Sequence, residues 1–256
     1  IENNMNIGVI GQGYVGLTFA LCLAEMGHKV FAFEKDKEKY QLLKNKISPI
    51  SEKKIADLTK KTILSGNYLI YSDLKKIEKS LDIIVICVGT PSRKDGSLNS
   101  SYLVNSIKDV SSYIKKKRNK PTIVIRSTML PGSSNSLLSK LMRDGLKEGK
   151  DFDYLYHPEF LREGSAYEDF FDPPKIVIGH NKESSKVKLD KIYKTFNDSL
   201  KIFTTLKEAE TVKYVDNIYH ALKVTFANEV GDFCNEFDIN PKEVMKIFKR
   251  DKKLNI

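Results

Sequence analysis

Two hydrophobic periods alternate along this chain. Short apolar runs, MNIGVIG, KVFAFE, NYLIYS, DIIVICVG, TIVIRST, FDYLYH, KIVIG and KIFTT, read as strands, and the segments between them repeat apolar residues every three to four positions, as helices do. Helices are predicted over residues 14–26, through Lys44, over 53–62, near 73–78, over 100–115, after Pro131, from Glu183 and, longest of all, from Lys207. DIIVICVG is apolar throughout, the pattern of a strand covered on both faces of a parallel sheet. Asn240-Pro241-Lys242-Glu243 opens a last helix, with Asn as cap, Pro at the first helical position and Glu three residues beyond the cap. The alternation predicts a doubly wound, Rossmann-like α/β domain with a parallel sheet over residues 5–204. A long central helix and an all-helical segment follow over 205–256.

The long helix raises a question of its own. In KYVDNIYHALKVTFAN, Lys213, Asn217, His220 and Asn228 recur at spacings of four, three and eight, so at about 100° per residue they share one stripe. Val215, Ile218, Leu222 and Phe226 fall on the other side. Such a stripe is either the wet face of an amphipathic helix or one wall of a site. Asn and His are unusual choices for a merely solvated face.

Composition narrows the classes. At 41% apolar and 30% charged over 256 residues, the chain is of ordinary globular make-up, and no apolar run approaches the roughly 20 residues of a membrane helix. No secretory leader is predicted. Three distant cysteines, Cys22, Cys87 and Cys234, imply no disulfide framework and a reducing compartment, the cytoplasm. The net charge of +10 suits an anionic partner, but the lysines lie in scattered clusters such as KKKRNK without interleaved aromatics. A phosphate-bearing small ligand is therefore expected, with no nucleic acid, no membrane and no metal.

GQGYVG, Gly11 to Gly16, is a GxGxxG between a predicted strand and a predicted helix. Gly11 permits the tight turn, Gly13 lets backbone approach a pyrophosphate, and Gly16 allows close packing of the helix whose N-terminus faces the phosphates. KVFAFE ends in Glu34, at the distance where a carboxylate accepts from ribose hydroxyls and repels an additional phosphate, so NAD is preferred over NADP. Lys35 and Lys39 lie nearby and soften that preference. Thr90 and Thr128 end two further strands. Each is either a turn residue or, with the other, part of the crevice at the carboxyl ends of the strands.

HPEFLREGSA (157–166), together with GQGYVGL, VGTPSRKDGS, RSTMLPGS, DPPKIVIG and ETVKYVDNIYHALKVTFANE, resembles the nucleotide-sugar 6-dehydrogenases, the UDP-glucose and GDP-mannose dehydrogenase family. The likeness runs from Met5 to the end with the motifs in order, and YHALKVTFANEV and the closing DKKLNI are nearest the GDP-mannose branch. It implies a two-step, four-electron oxidation of a sugar C6 alcohol to a carboxylate with two NAD, through a thiohemiacetal and a thioester on a cysteine. It further implies that Lys213 and Asn217 stabilise charge on the C6 oxygen, that Glu159 is the base for thioester hydrolysis, and that Thr128 positions water and the nicotinamide. Glu163, His220 and Asn228 match sugar-nucleotide contacts; Tyr14, Val15, Glu34, Lys39 and Thr90 match NAD contacts. On this reading the polar stripe is a substrate wall, and the apolar side of the long helix packs on a partner subunit to form a homodimer.

Two departures qualify the likeness. The family's nucleophilic cysteine and its second nucleotide-binding domain lie beyond the segment matched, and Cys22, Cys87 and Cys234 all read as core residues. The chain is thus expected to bind NAD without completing the oxidation. Ser51-Glu52-Lys53-Lys54, after Pro49-Ile50, differs from the family's usual loop near substrate. UDP-glucose or a UDP-N-acetylhexosamine as substrate, a non-catalytic NAD-binding homologue, and a β-hydroxyacid-type dehydrogenase sharing the first domain are the alternatives.

Overall fold

The strands are built from β-branched and aromatic residues whose successive side chains go to opposite faces of one sheet. A computed structural model of the chain describes residues 4–117 and 119–251. Contacts gather it into two compact units, Ile1–Lys213 and Tyr214–Ile256.

In the first unit eight strands form a single sheet, β1 Asn6–Ile10, β2 Lys29–Phe33, β3 Tyr68–Tyr71, β4 Ile83–Ile86, β5 Thr122–Ile125, β6 Asp153–Tyr156, β7 Ile176–His180 and β8 Lys201–Thr204. Their order is β3-β2-β1-β4-β5-β6-β7-β8, so the winding reverses between β1 and β4. That reversal opens a crevice at the carboxyl ends of the strands, the usual ligand position in such sheets.

Alternate strand residues feed two cores. Ile7, Val9, Val30, Ile83, Val85 and Val124 pack under helices α1 Tyr14–Glu25 and α3 Lys53–Leu64, with α2 Lys37–Lys44 contributing Leu43. Ile84, Ile86, Ile123, Ile125, Tyr154 and Tyr156 pack under α4 Ser101–Lys117 and α5 Ser133–Arg143. Both layers predicted from the alternation are present. Residues 73–78, expected as a helix, form only a 3-10 turn over Leu74–Lys76. Asp73 Oδ1 accepts from the amide of Lys75 and caps that turn, and Ile77 is already extended.

The sheet is not wholly parallel, contrary to expectation. β7 runs antiparallel to β6, and β8 follows β7, so the last two strands oppose the other six. The cause lies in residues 157–175. A parallel return needs a full crossover to the far end of the sheet. This connection instead holds a six-residue helix, α6 Ala166–Phe171, which the hydrophobic pattern did not reveal. Gly164 N donates to Tyr14 Oη, so the connection stays at the glycine-loop end and β7 starts back from there. The reversal keeps HPEFLREG beside the crevice. After β7 come α7 Val187–Ile192, β8 and the first turns of α8 Leu206–Glu236.

The second unit holds the remainder of α8 and α9 Pro241–Phe248. Asn240 caps α9 as predicted, its Oδ1 accepting from the amide of Lys242. Phe226 meets Phe248 at 5.5 Å between ring centroids, while Val215, Ile218, Leu222 and Phe226 are all exposed. Most of DKKLNI, from residue 252 on, lies outside the described residues. No helix among the described residues is long and apolar enough to cross a membrane.

Candidate active site

The glycine loop follows β1 directly. Gly11 has φ +90°, and a Cβ there would come 2.7 Å from the carbonyl oxygen of Cys87, so both backbone and neighbour require glycine. A Cβ on Gly16 would lie 1.9 Å from the Gly11 oxygen, which presses the first turn of α1 onto the loop. Around Gly13, by contrast, nothing lies within 4 Å of an added Cβ. The N-terminus of α1 has Gly13 as its cap and no side-chain cap bond, so its first-turn amides are left for a ligand on that open side. Val15 turns into the core beneath.

A cleft of about 450 Å³ adjoins this loop, bounded by Gly13, Tyr14, Lys39, Ile50, Glu52 and Glu163. Glu34 stands at the tip of β2. Its Oε2 accepts from Gln12 N at 2.8 Å and its Oε1 from Asp36 N at 2.9 Å, which fixes the carboxylate while leaving it further lone pairs. Lys35 pairs with Asp109 at 2.8 Å, leaving Lys39 as the lysine at the cleft. These features fit a dinucleotide: an open glycine, uncapped helical amides and an anchored carboxylate. Thr90 Oγ1 donates to the carbonyl of Thr128 at 2.9 Å, so the two threonines do meet at the ends of β4 and β5.

The loop read as a departure has a definite role. Glu52 accepts from Tyr14 Oη, from Gly164 N at 2.8 Å and from Ala166 N at 3.3 Å, tying Ser51–Lys54 to the HPEFLREG connection. The Arg162 carbonyl, 2.9 Å from Tyr14 Oη, is a second acceptor within reach of the same hydroxyl proton. Burial, then the Glu52 carboxylate, raises the Tyr14 hydroxyl well above its ordinary value, so it is a permanent donor.

Glu159 and Lys213 are brought together. Lys213 Nζ lies 2.8 Å from Glu159 Oε1, their side chains 6% and 13% exposed, and Glu159 Oε2 accepts from Leu161 N at 2.9 Å. The ammonium also stands 5.6 Å from the Phe160 ring centroid. One turn earlier on α8, Glu210 is fully buried. Its carboxylate accepts from Gly132 N and Ser134 N and so caps α5. Glu210 was not singled out from sequence; the only signal was a charge among the core-facing positions of the helix start. Asn217, His220 and Asn228 continue along α8 in the second unit, where all three are exposed. His220 faces Asp216 at 3.8 Å.

All three cysteines are free and buried. Burial, chiefly, pushes the Cys87 thiol up to about 12, so it carries no thiolate near neutrality.

Residues 5–197 match the NAD binding domain of the UDP-glucose/GDP-mannose dehydrogenase family, and residues 207–256 match its central domain. The chain belongs to this family. It is 37% identical over 254 residues to the GDP-mannose 6-dehydrogenase of Pseudomonas aeruginosa, covering 98% of this chain and 58% of that protein. To the UDP-glucose 6-dehydrogenase of Rickettsia prowazekii it is 37% identical over 242 residues, covering 94% and 54%. Its fold is similar to the crystal structure of a ternary complex of GDP-mannose dehydrogenase from Pseudomonas aeruginosa, with a TM-score of 0.90 and the same 98% and 58% coverage. A UDP-glucose dehydrogenase from Pyrobaculum islandicum, 31% identical, also superposes with a TM-score of 0.90 over 98% and 58%. The chain therefore spans somewhat more than half the length of the relatives it matches. The glycine loop, the cleft and Glu34 lie within its NAD-binding domain.

Proposed function

We propose that this chain supplies the cofactor site and the first part of the substrate wall of a dehydrogenase that oxidises the C6 alcohol of GDP-mannose to the carboxylate of GDP-mannuronate. The observation that carries the reading is the buried Lys213–Glu159 pair, beside the same strand ends that carry the glycine loop and the two threonines. The relatives named GDP-mannose 6-dehydrogenase support the substrate over nearly the whole chain.

NAD, when bound, supplies the hydride acceptor. Gly11, Gly13 and Gly16 with the first-turn amides of α1 hold its pyrophosphate, Glu34 orders the adenine-side ribose, Tyr14, Val15 and Lys39 border it, and Thr90 and Thr128 flank the reactive ring. Lys213, with three N–H donors, keeps its bond to Glu159 while presenting another to the C6 oxygen as negative charge builds there. Asn217 adds a neutral donor to the same oxygen. Glu159, held in place by Lys213, then takes a proton from the hydrolytic water. Glu163, His220 and Asn228 bind the sugar nucleotide. The thiol that carries the covalent step is none of Cys22, Cys87 or Cys234. The exposed apolar residues Val215, Ile218, Leu222 and Phe226 pack on a second copy of the chain.

Two experiments test the reading. The chain is titrated with NADH and NADPH by fluorescence: NADH binds more tightly, and Glu34→Lys removes the preference. The enzyme, in a form that includes the nucleophilic thiol, is then assayed with GDP-mannose and with UDP-glucose. Two NADH per GDP-mannose is the expected yield; turnover of UDP-glucose alone would assign the chain to the relatives of the Rickettsia enzyme.

A further inference from the structure

Arg126 ends β5 and points into the protein, only 5% exposed. Its guanidinium lies 4.2 Å above the Phe19 ring centroid and donates to the Tyr193 hydroxyl. Nε and Nη1 have no partner within the described residues. Beside it is a cavity of about 30 Å³, bordered by Arg126, His157, Glu159, Lys175 and Tyr193.

A buried guanidinium without a counter-charge is strongly unfavourable, and among the described residues Glu159, Asp169, Tyr193, Cys87 and His157 do not supply one. Glu159 is already neutralised by Lys213, and Asp169 by Arg162, whose Nη2 is 2.6 Å from its Oδ1. Tyr193 and Cys87 are pushed up to about 12, chiefly by burial, and remain neutral. His157 is neutral as well: Nδ1–H donates to the Val177 carbonyl at 2.7 Å, and Nε2 accepts from Tyr193 Oη at 2.7 Å. With both ion pairs cancelled, the Arg126 charge faces the cavity and neither Glu159 nor Asp169 is free to offset it. The volume admits one water or one monatomic anion; the charge chooses between them.

We propose that this cavity is a binding site for a small monovalent inorganic anion of chloride's size, held by Arg126 Nε and Nη1. The proposal does not depend on the dehydrogenase reading, because NADH binding can be scored separately on the same samples.

The test compares chloride and bromide with gluconate at constant ionic strength. The Tm of the purified chain rises saturably with either halide and not with gluconate, while Arg126→Met abolishes the halide response and retains NADH binding. Equal stabilisation by all three anions, or an unchanged halide response in the variant, would overturn the site. Should the variant fail to fold, crystals of the wild-type chain soaked in bromide decide alone. Anomalous density within hydrogen-bond distance of Arg126 is expected; bromide at the outer surface only, an ordered water in the cavity, or an adventitious ion only would refute it.

Discussion

The two units treat their apolar side chains in opposite ways. In the first, strand residues such as Ile7, Val85 and Ile123 are fully buried between helices, and two of the charged groups that enter the interior, Glu210 and Lys213, have charged or amide partners. In the second, Ile218 and Leu222 are about 60% exposed although they occupy the apolar side of a 31-residue helix. The first unit buries its own apolar surface, whereas the exposed apolar face of the second is the surface that the proposed second copy of the chain would cover.

The largest effect belongs to the glycine loop. Gly16→Ala forces a Cβ against the Gly11 oxygen and should cost roughly 3 kcal/mol or more of stability, together with NADH binding. Gly13→Ala, with open space around it, should leave stability within about 0.5 kcal/mol while weakening NADH binding at least tenfold. Urea unfolding and NADH fluorescence measure both. Equal stability losses in the two variants would show that the loop is structural only.

Next comes Glu210. Its replacement by Ala leaves Gly132 N and Ser134 N uncapped inside the protein, so a loss of roughly 2–4 kcal/mol is expected. Lys213→Met should cost about as much, because Glu159 then keeps only the Leu161 amide. These are losses of a self-sufficient unit and should not vary with protein concentration. The pair Ile218→Asp and Leu222→Asp should behave in reverse. Urea midpoints of the first unit stay put, while the dimer constant measured by sedimentation weakens at least tenfold, about 1.4 kcal/mol. A chain that is monomeric before and after the substitutions would remove the partner-surface reading.

Much of this was legible in the chain itself, for physical reasons that differ by place. β4 and β5 were readable because a strand covered on both faces must be apolar at every position, and the glycine loop because its backbone and packing exclude a Cβ. The turn of β7 against β6 was not readable, since strand direction leaves no mark on side-chain alternation. α6 was hidden because six residues make too few turns to show a period. Glu34, Thr90 and Thr128 could be assigned to strand ends from sequence. Glu210, Glu52 and Arg126 could not, because their partners are backbone amides, a distant loop and an aromatic face, none of which has a spacing in the chain.

The smallest effect concerns pH and, again, only the first unit. His157 is fully buried, and burial, reinforced by the Arg126 charge and opposed by the bond to Val177, holds its pKa well below the ordinary imidazole value. In the unfolded chain it titrates near 6.5. Below that pH the unfolded state binds a proton that the folded state refuses, so stability falls as pH falls, by up to about 1.4 kcal/mol per pH unit. Above about pH 7 neither state is protonated there and the contribution is flat. Urea unfolding of the wild type and of His157→Asn, at a series of pH values from 7.5 to 5, isolates the term. The variant is expected to be less stable at neutral pH, having lost the bond from Tyr193, but to lose less on acidification. Parallel pH profiles would mean that Arg126 and Tyr193 accommodate the imidazolium by rearrangement. That would also weaken the case for a fixed, uncompensated guanidinium beside the cavity.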